Sequence, residues 1–303
     1  MDALEIKDLS KSFRSNFLLK RTEVLRDVNI NVKIGSIYGF LGPNGAGKTT
    51  TIKCIIGLTT PDSGTIRLFQ KAAGSVAERN KIGFLPESPY YYDYLTAGET
   101  LTLSGRLSSV SSREIRKRSQ RILTLVGLEG KEKILLKKFS KGMLQRVGLG
   151  QALMNEPDFI ILDEPFSGLD PVGRKELRDI ILSLKNDGKT VLFSSHILQD
   201  MELIVDDIGI LFNGRITKEG KLSDLVKDAV KHIEVVVSGV NEAAVKKGGY
   251  DGSESDGKLK ARIQNHEELN RFLNFVEKEG GKCLSVSQVS HSLEDLFLRE
   301  ISK

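Results

Sequence analysis

The densest chemistry in this chain sits in Gly42-Pro43-Asn44-Gly45-Ala46-Gly47-Lys48-Thr49-Thr50. A glycine, four residues, then Gly-Lys-Thr is the spacing of a loop that wraps an anionic phosphate. Gly42, Gly45 and Gly47 let the backbone curl until several N–H groups converge on one anion. Lys48 supplies a mobile positive charge for the outer phosphates. The Thr49 hydroxyl is a hard oxygen ligand of the kind Mg²⁺ prefers. A nucleoside triphosphate with Mg²⁺, that is, ATP or a relative, is the ligand class this set implies.

A second group supplies reactive acids. Phe159-Ile160-Ile161-Leu162 is a wholly apolar run, and Asp163 and Glu164 follow it directly. A buried strand would deliver both carboxylates to its C-terminal end, where open α/β sheets bind their ligands. Asp163 suits the Mg²⁺ shell, and Glu164 suits a base that orients and deprotonates a water attacking the γ-phosphate. Ser167-Gly168-Leu169-Asp170 comes next. His196 ends a further apolar stretch, where an imidazole can donate a hydrogen bond to transferred phosphate oxygens. His232, His266 and His291 have no such surroundings.

These residues need a scaffold, and the patterning sketches one. Ser36–Leu41 reads as a short buried strand ahead of the loop, and 50–56 as a helix stopped by Gly57, which places a helix N-terminus behind the phosphates. Residues 3–34 alternate apolar and polar, as in Val28-Asn29-Ile30-Asn31-Val32, and predict antiparallel strands with one wet face. Strands around 37–41, 159–162 and 190–193 predict a parallel sheet covered on both faces. Residues 96–137 carry a helical pattern that opens on a capping-box candidate, Thr96 to Glu99.

Composition shifts near Lys221. Beyond it the pattern predicts strand 233–237, a Gly/Ser/Asp-rich loop 248–257, strand 259–263, helix 267–279, strand 283–289 and helix 293–301. The expectation is a catalytic domain over 1–221, with a helical part at about 96–150, and a small α+β accessory domain over 222–303, long enough to fold.

Bulk properties narrow the class. The chain has 303 residues, 39% hydrophobic and 28% charged, as in a globular protein with a sizeable core. No run approaches a membrane span and the acidic start lacks a secretion signal, so a cytosolic location is expected. Cys54 and Cys283 have no ligand spacing, and Cys54 suits core packing. The net charge of +5 permits contact with lipid headgroups or nucleic acid but indicates neither. The basic clusters at 113–121 and 131–141 read as solvated helix faces.

Phe139-Ser140-Lys141-Gly142-Met143-Leu144-Gln145-Arg146 resembles the signature motif of ATP-binding cassette proteins. Taken with the phosphate loop, Asp163-Glu164, Ser167–Asp170 and His196, in family order, the resemblance covers residues 3–220. It implies a P-loop NTPase core with an N-terminal antiparallel β subdomain and a helical insertion. It also implies a head-to-tail dimer with each ATP between one chain's loop and the other's signature. Ser140 and Gly142 would then meet the γ-phosphate across the interface, Asp170 would count among the nucleotide-binding positions, and Phe13 would stack on adenine. From the residues alone, Phe13 equally suits core packing at a strand end.

Three positions depart from the family pattern. Lys141 and Met143 stand where the signature usually has Gly and Gln, a form that looks like the branch serving bacterial exporters with separately encoded permeases. Glu87 stands where the family has a Gln that contacts Mg²⁺ and couples to the membrane partner. Glutamate keeps oxygen ligation and adds charge, leaving both roles open. The run Tyr90-Tyr91-Tyr92-Asp93-Tyr94 follows, and its adjacent tyrosines cannot all face one core, which suggests a partner surface. The stretch 292–298 resembles the closing helix of the same exporter branch.

The resemblance therefore implies an ATPase subunit that pairs as a homodimer, peripheral on the inner membrane face, driving a permease and not acting on nucleic acid. The alternatives are a cassette ATPase acting on ribosomes or DNA, which often carries two cassettes or a long coiled coil, and a binding module without turnover. One phosphate loop, no sustained heptads, and filled positions at Glu164 and His196 count against both.

Overall fold

The computed structural model describes residues 1–14, 21–73, 75–227, 230–255, 258–290 and 297. The chain divides into two compact units, Met1–Leu222 and Ser223–Lys303.

The first unit opens with β1 (Asp2–Arg14), β2 (Arg21–Lys33), β3 (Ile37–Leu41), α1 (Lys48–Ile55), β4 (Ser63–Leu68) and β5 (Lys71–Ala72). It continues through α2 (Val76–Arg79), β6 (Ile82–Leu85), α3 (Ala97–Leu107), α4 (Ser112–Leu125), α5 (Lys141–Leu153) and β7 (Phe159–Leu162). It ends with α6 (Pro171–Asn186), β8 (Thr190–Ser195), α7 (Leu198–Glu202), β9 (Asp207–Phe212) and β10 (Arg215–Lys221). Two sheets result. One has the order β2-β1-β4-β5 and is antiparallel. The other has the order β10-β9-β3-β8-β7-β6, parallel throughout except for β10 at one edge.

The two sheets have the burial their patterns predict. In β3, β7 and β8 every residue is buried, as in a sheet covered on both faces. In β2 burial alternates over Val28, Ile30 and Val32, and in β1 over Leu4 and Ile6, with irregularities in the pairing of β1 with β2 interrupting the alternation. Leu4, Ile6, Val28, Ile30 and Val32 meet Tyr38, Phe40, Ile52 and Phe159 in a shared core. Cys54 joins that core as a free thiol.

Helix α1 begins at Lys48, two residues earlier than its pattern suggested. Lys48 and Thr49 belong to the loop by motif and to the helix's first turn by geometry, and Gly57 ends it at φ 77°. At α3 the Thr96 hydroxyl accepts from Glu99 N while the Glu99 carboxylate accepts from Thr96 N, completing the capping box.

The second unit comprises α8 (Leu222–Lys227, which spans the boundary), β11 (Val230–Ser238), α9 (Glu242–Lys247), β12 (Asp251–Ser255), β13 (Lys258–Ile263), α10 (His266–Lys278) and β14 (Lys282–Ser290). Its sheet has the order β12-β13-β11-β14. Two features differ from expectation. Residues 251–255 form a strand rather than part of a loop, because each of them pairs with β13. Residues 242–247 form a helix capped by Asn241, whose side chain accepts from Ala244 N. Apart from Phe297, the helix expected at 293–301 lies outside the described residues.

Candidate functional site

Four parallel strands end at one place. The phosphate loop follows β3, Glu87 comes two residues after β6, Asp163 and Glu164 follow β7, and His196 follows β8. This is the carboxyl edge of an open α/β sheet, where such folds bind ligands. A cavity of about 340 Å³ opens there, and Pro43, Asn44, Gly45, Gly47, Lys48, Thr49, Thr50, Glu87 and Glu164 line it with Val24.

The loop's shape depends on two glycines. Gly45 has φ 82° and open space where a side chain would project. Gly47 has φ 114°, and a Cβ there would meet the Leu25 side chain at 2.6 Å. Both backbone conformations are costly for any other residue. Gly47 stands at the N-cap of α1, with no side chain closing that helix end, so the first N–H groups of α1 face the loop.

The charged groups converge closely. Lys48 Nζ donates to Gly42 O at 2.5 Å and to Pro43 O at 3.3 Å, and lies 3.1 Å from Glu164 Oε1. Both side chains are buried, 6% and 7% exposed, so each charge depends on the other for compensation. Glu164 Oε1 makes no hydrogen bond despite that ion-pair contact. Its other oxygen, Oε2, lies 2.8 Å from His196 Nδ1. Against an ionised carboxylate, Nδ1–H is the donor, which leaves Nε2 as the nitrogen available for any phosphate contact. Glu164 holds φ 47°, a left-handed conformation rare outside glycine and often found at functional sites.

Ser194 is the residue that sequence reasoning passed over. Its hydroxyl donates to Asp163 Oδ1 at 2.6 Å and accepts from Glu164 N at 2.9 Å. One buried side chain thus orients both acids. The parallel register of β7 and β8 brings it there, with Leu162 opposite Phe193. The only sequence signal was its place two residues before His196.

Other anticipated residues lie elsewhere. Gly42, Ala46 and Asp163 belong to the loop and strand ends but do not line the cavity. Ser140 caps α5, accepting from Met143 N at 3.3 Å, with Gly142 in its first turn. Asp170 caps α6, accepting from Gly173 N at 2.8 Å. None of these three reaches this chain's own cavity. Phe13 is 45% exposed, so the core-packing alternative fails. Lys11 Nζ lies 5.4 Å from its ring centre. The tyrosine run splits as its spacing required. Tyr91 turns inward to donate to Leu144 O at 2.8 Å, while Tyr90, Tyr92 and Tyr94 are exposed. In the first basic cluster Arg118 and Arg121 pair with Glu156 on the surface.

A phosphate loop at a sheet edge, facing a buried carboxylate held by a histidine, defines a nucleotide-dependent phosphoryl-transfer protein. The comparisons narrow this class. Residues 25–167 match the family model described as ABC transporter. The bacitracin transport ATP-binding protein BcrA of Bacillus licheniformis is 37% identical over 98% of this chain and 97% of its own length. An uncharacterised ABC transporter ATP-binding protein of Synechocystis sp. is 38% identical over 99% of this chain and 85% of its own. A solved dimeric ATP-binding cassette, in a post-hydrolysis state bound to ADP and Pi, shares 27% identity with a TM-score of 0.65, covering 72% of this chain and 98% of that one. The chain belongs to the ABC transporter family as an ATP-binding, ATP-hydrolysing subunit. No helix among the described residues is long and apolar enough to cross a membrane.

Proposed function

We propose that two copies of this chain bind and hydrolyse Mg²⁺·ATP between them to drive a separately encoded membrane permease, in the direction of export. The Glu164 carboxylate carries this reading: buried, held at Oε2 by His196 and ion-paired at Oε1 with Lys48, it is a base whose Oε1 becomes available to a water once Lys48 turns to phosphate. Lys48 beside it would take the β- and γ-phosphates, and release from that ion pair would leave Glu164 free to accept the water's proton. The loop N–H groups and the N-terminus of α1 would hold the remaining phosphate charge.

Among the described residues no three His, Cys, Asp or Glu side chains converge as a closed metal cage. That fits Mg²⁺, which takes one or two carboxylates and completes its shell with phosphates and water. Thr49, Asp163 and Glu87 are the residues that would hold it. When bound, Mg²⁺ supplies charge neutralisation at the phosphate oxygens.

The caps at Ser140 and Asp170 support the two-chain reading. They sit at the N-termini of α5 and α6, where backbone N–H groups favour an anion, yet away from their own chain's cavity. A head-to-tail partner would bring Ser140 and Gly142 to its γ-phosphate. Exposed Tyr90, Tyr92 and Tyr94 suit the permease contact, since tyrosine combines an apolar face with a polar tip. The subunit would then sit on the cytoplasmic face of the membrane. BcrA's name assigns bacitracin transport to that relative, which supports a transport role here.

Glu164→Gln tests the central assignment. Turnover should fall about 100-fold or more while ATP binding persists, since a positioned base contributes on that order. A dimer trapped by ATP should appear by light scattering. Near-normal turnover would assign the base to another group.

A further inference from the structure

A second buried carboxylate lies close to His196 and has no assigned work. Asp200 sits in α7, which starts two residues after His196, and its side chain is 7% exposed. Its Oδ2 makes no hydrogen bond. The nearest cationic atom is Arg174 Nη1, at 3.7 Å. That is ion-pair range but beyond hydrogen-bonding reach. Arg174 is anchored at its other edge: Nε donates to Leu169 O at 3.2 Å. Leu169 belongs to the Ser167–Asp170 loop, which leads from Glu164 into α6. One guanidinium therefore faces the histidine's segment with one edge and grips the loop after the acids with the other.

The charges around Asp200 fit that position. Burial pushes its carboxyl up, Arg174 and then Arg178 hold it down, Glu164 pushes up and His196 holds down. A buried carboxylate oxygen without a direct hydrogen bond is costly unless it is paired, so closing the 3.7 Å gap would be favourable. A movement of well under 1 Å in either segment makes or breaks direct contact.

We propose that Asp200 is a positioning residue for hydrolysis, linked through Arg174 to the 167–170 loop, so that the His196 segment and that loop adopt one arrangement together. This rests on the reading of Glu164 and His196 as hydrolytic groups. The loop runs to the α6 cap that would face a partner chain. The link therefore ties the state of one nucleotide site to the surface offered to the other copy.

The experiment is a double-variant cycle in the full chain with Asp200→Asn, Arg174→Met and both together. Asparagine keeps the volume of Asp200 and removes its charge. Each single variant should lower kcat about tenfold, with KM for ATP within about twofold, because phosphate contacts are untouched. The double variant should be no slower than the worse single, as coupled residues are non-additive. Asp200→Glu should recover part of the rate. For Asp200→Asn a melting midpoint within about 2 °C of wild type is expected alongside, whereas Arg174→Met, which leaves Asp200 charged and unpaired, should melt lower, and the double variant should regain part of that loss. Multiplying effects in the double variant, unchanged kcat, or a loss of rate that tracks thermal stability would overturn the link. A wild-type chain that binds ATP without turning it over would remove the reading of the site, and the link with it.

Discussion

Ser194 shows how much a single hydroxyl can govern. Asp163 and Glu164 leave β7 in succession, so their side chains diverge unless the turn is held. Glu164 already occupies a left-handed backbone conformation at φ 47°, and Asp163 N is fixed by Leu85 O at 2.8 Å. The Ser194 hydroxyl completes the restraint by serving both residues at once, and it is fully buried. Ser194→Ala leaves an Asp163 oxygen and the Glu164 N–H buried without their partner. The expected cost is about 2 kcal/mol of folding stability, the usual size for a bond to a charged group. The catalytic consequence should be separate. The acids keep their chemistry but lose orientation, so kcat should fall about tenfold while ATP affinity changes little. Denaturant melts and steady-state kinetics would read the two effects. Unchanged kcat alongside the stability loss would make Ser194 a structural residue only.

At the scale of elements, the antiparallel sheet is tied at its corner by Asp62. Its Oδ2 accepts from Ser12 Oγ at 2.5 Å, Ser12 N at 2.9 Å and Arg21 Nη2 at 2.7 Å, and Oδ1 accepts from Lys11 Nζ at 3.1 Å. The Ser12 hydroxyl, then Arg21 and Lys11, hold the Asp62 carboxyl well below its ordinary value of 3.8. A depressed carboxyl stabilises the fold above its unfolded pKa and loses that contribution as pH falls through the folded one. Asp62→Asn should therefore lower the melting midpoint at pH 7, with the gap to wild type narrowing as pH falls below about 3.8. A gap constant from pH 7 to pH 3 would show that the carboxylate's charge is not what ties the corner. The corner also displays how legible the elements were. β3, β7 and α1 announce themselves through unbroken apolar runs and glycine punctuation, all local signals. β12 does not. Asp251-Gly252-Ser253-Glu254-Ser255 has turn composition, and it extends only because β13 beside it buries Leu259, Ala261 and Ile263. Ser194's double contact is hidden for the same reason, since it depends on the register between strands 30 residues apart. Helix caps at Ser140 and Asp170 were visible as residues, but their local work was masked by the stronger motif each belongs to.

For the whole molecule, each unit has an interior of its own among the described residues. The first is built around Leu4, Ile30, Tyr38, Phe40, Phe159 and Leu192. The second is built on Ile233, Val235, Leu259, Ile263, Phe272 and Val276, with Tyr250 edge-on to Phe272 at 4.8 Å between ring centres. No residue is common to both clusters. Every residue lining the loop cavity lies in Met1–Leu222, so the nucleotide's binding energy belongs to that unit's folding equilibrium. A ligand at 100 times its Kd stabilises the unit that binds it by about 2.7 kcal/mol and leaves an independent unit unchanged. Differential scanning calorimetry of the full chain should therefore resolve two transitions, the larger from the first unit. Adding Mg²⁺·ATP to the Glu164→Gln variant, which should hold the nucleotide without consuming it, should raise the larger transition and leave the smaller in place. The size of the shift separates two cases. For a domain of this length, stabilisation of about 2.7 kcal/mol corresponds to a rise of roughly 5–10 °C. A larger shift that depends on protein concentration would report dimerisation added to ligand binding. One cooperative transition, moved as a whole by nucleotide, would show that the C-terminal unit takes part in the nucleotide-bound state and is no independent appendage.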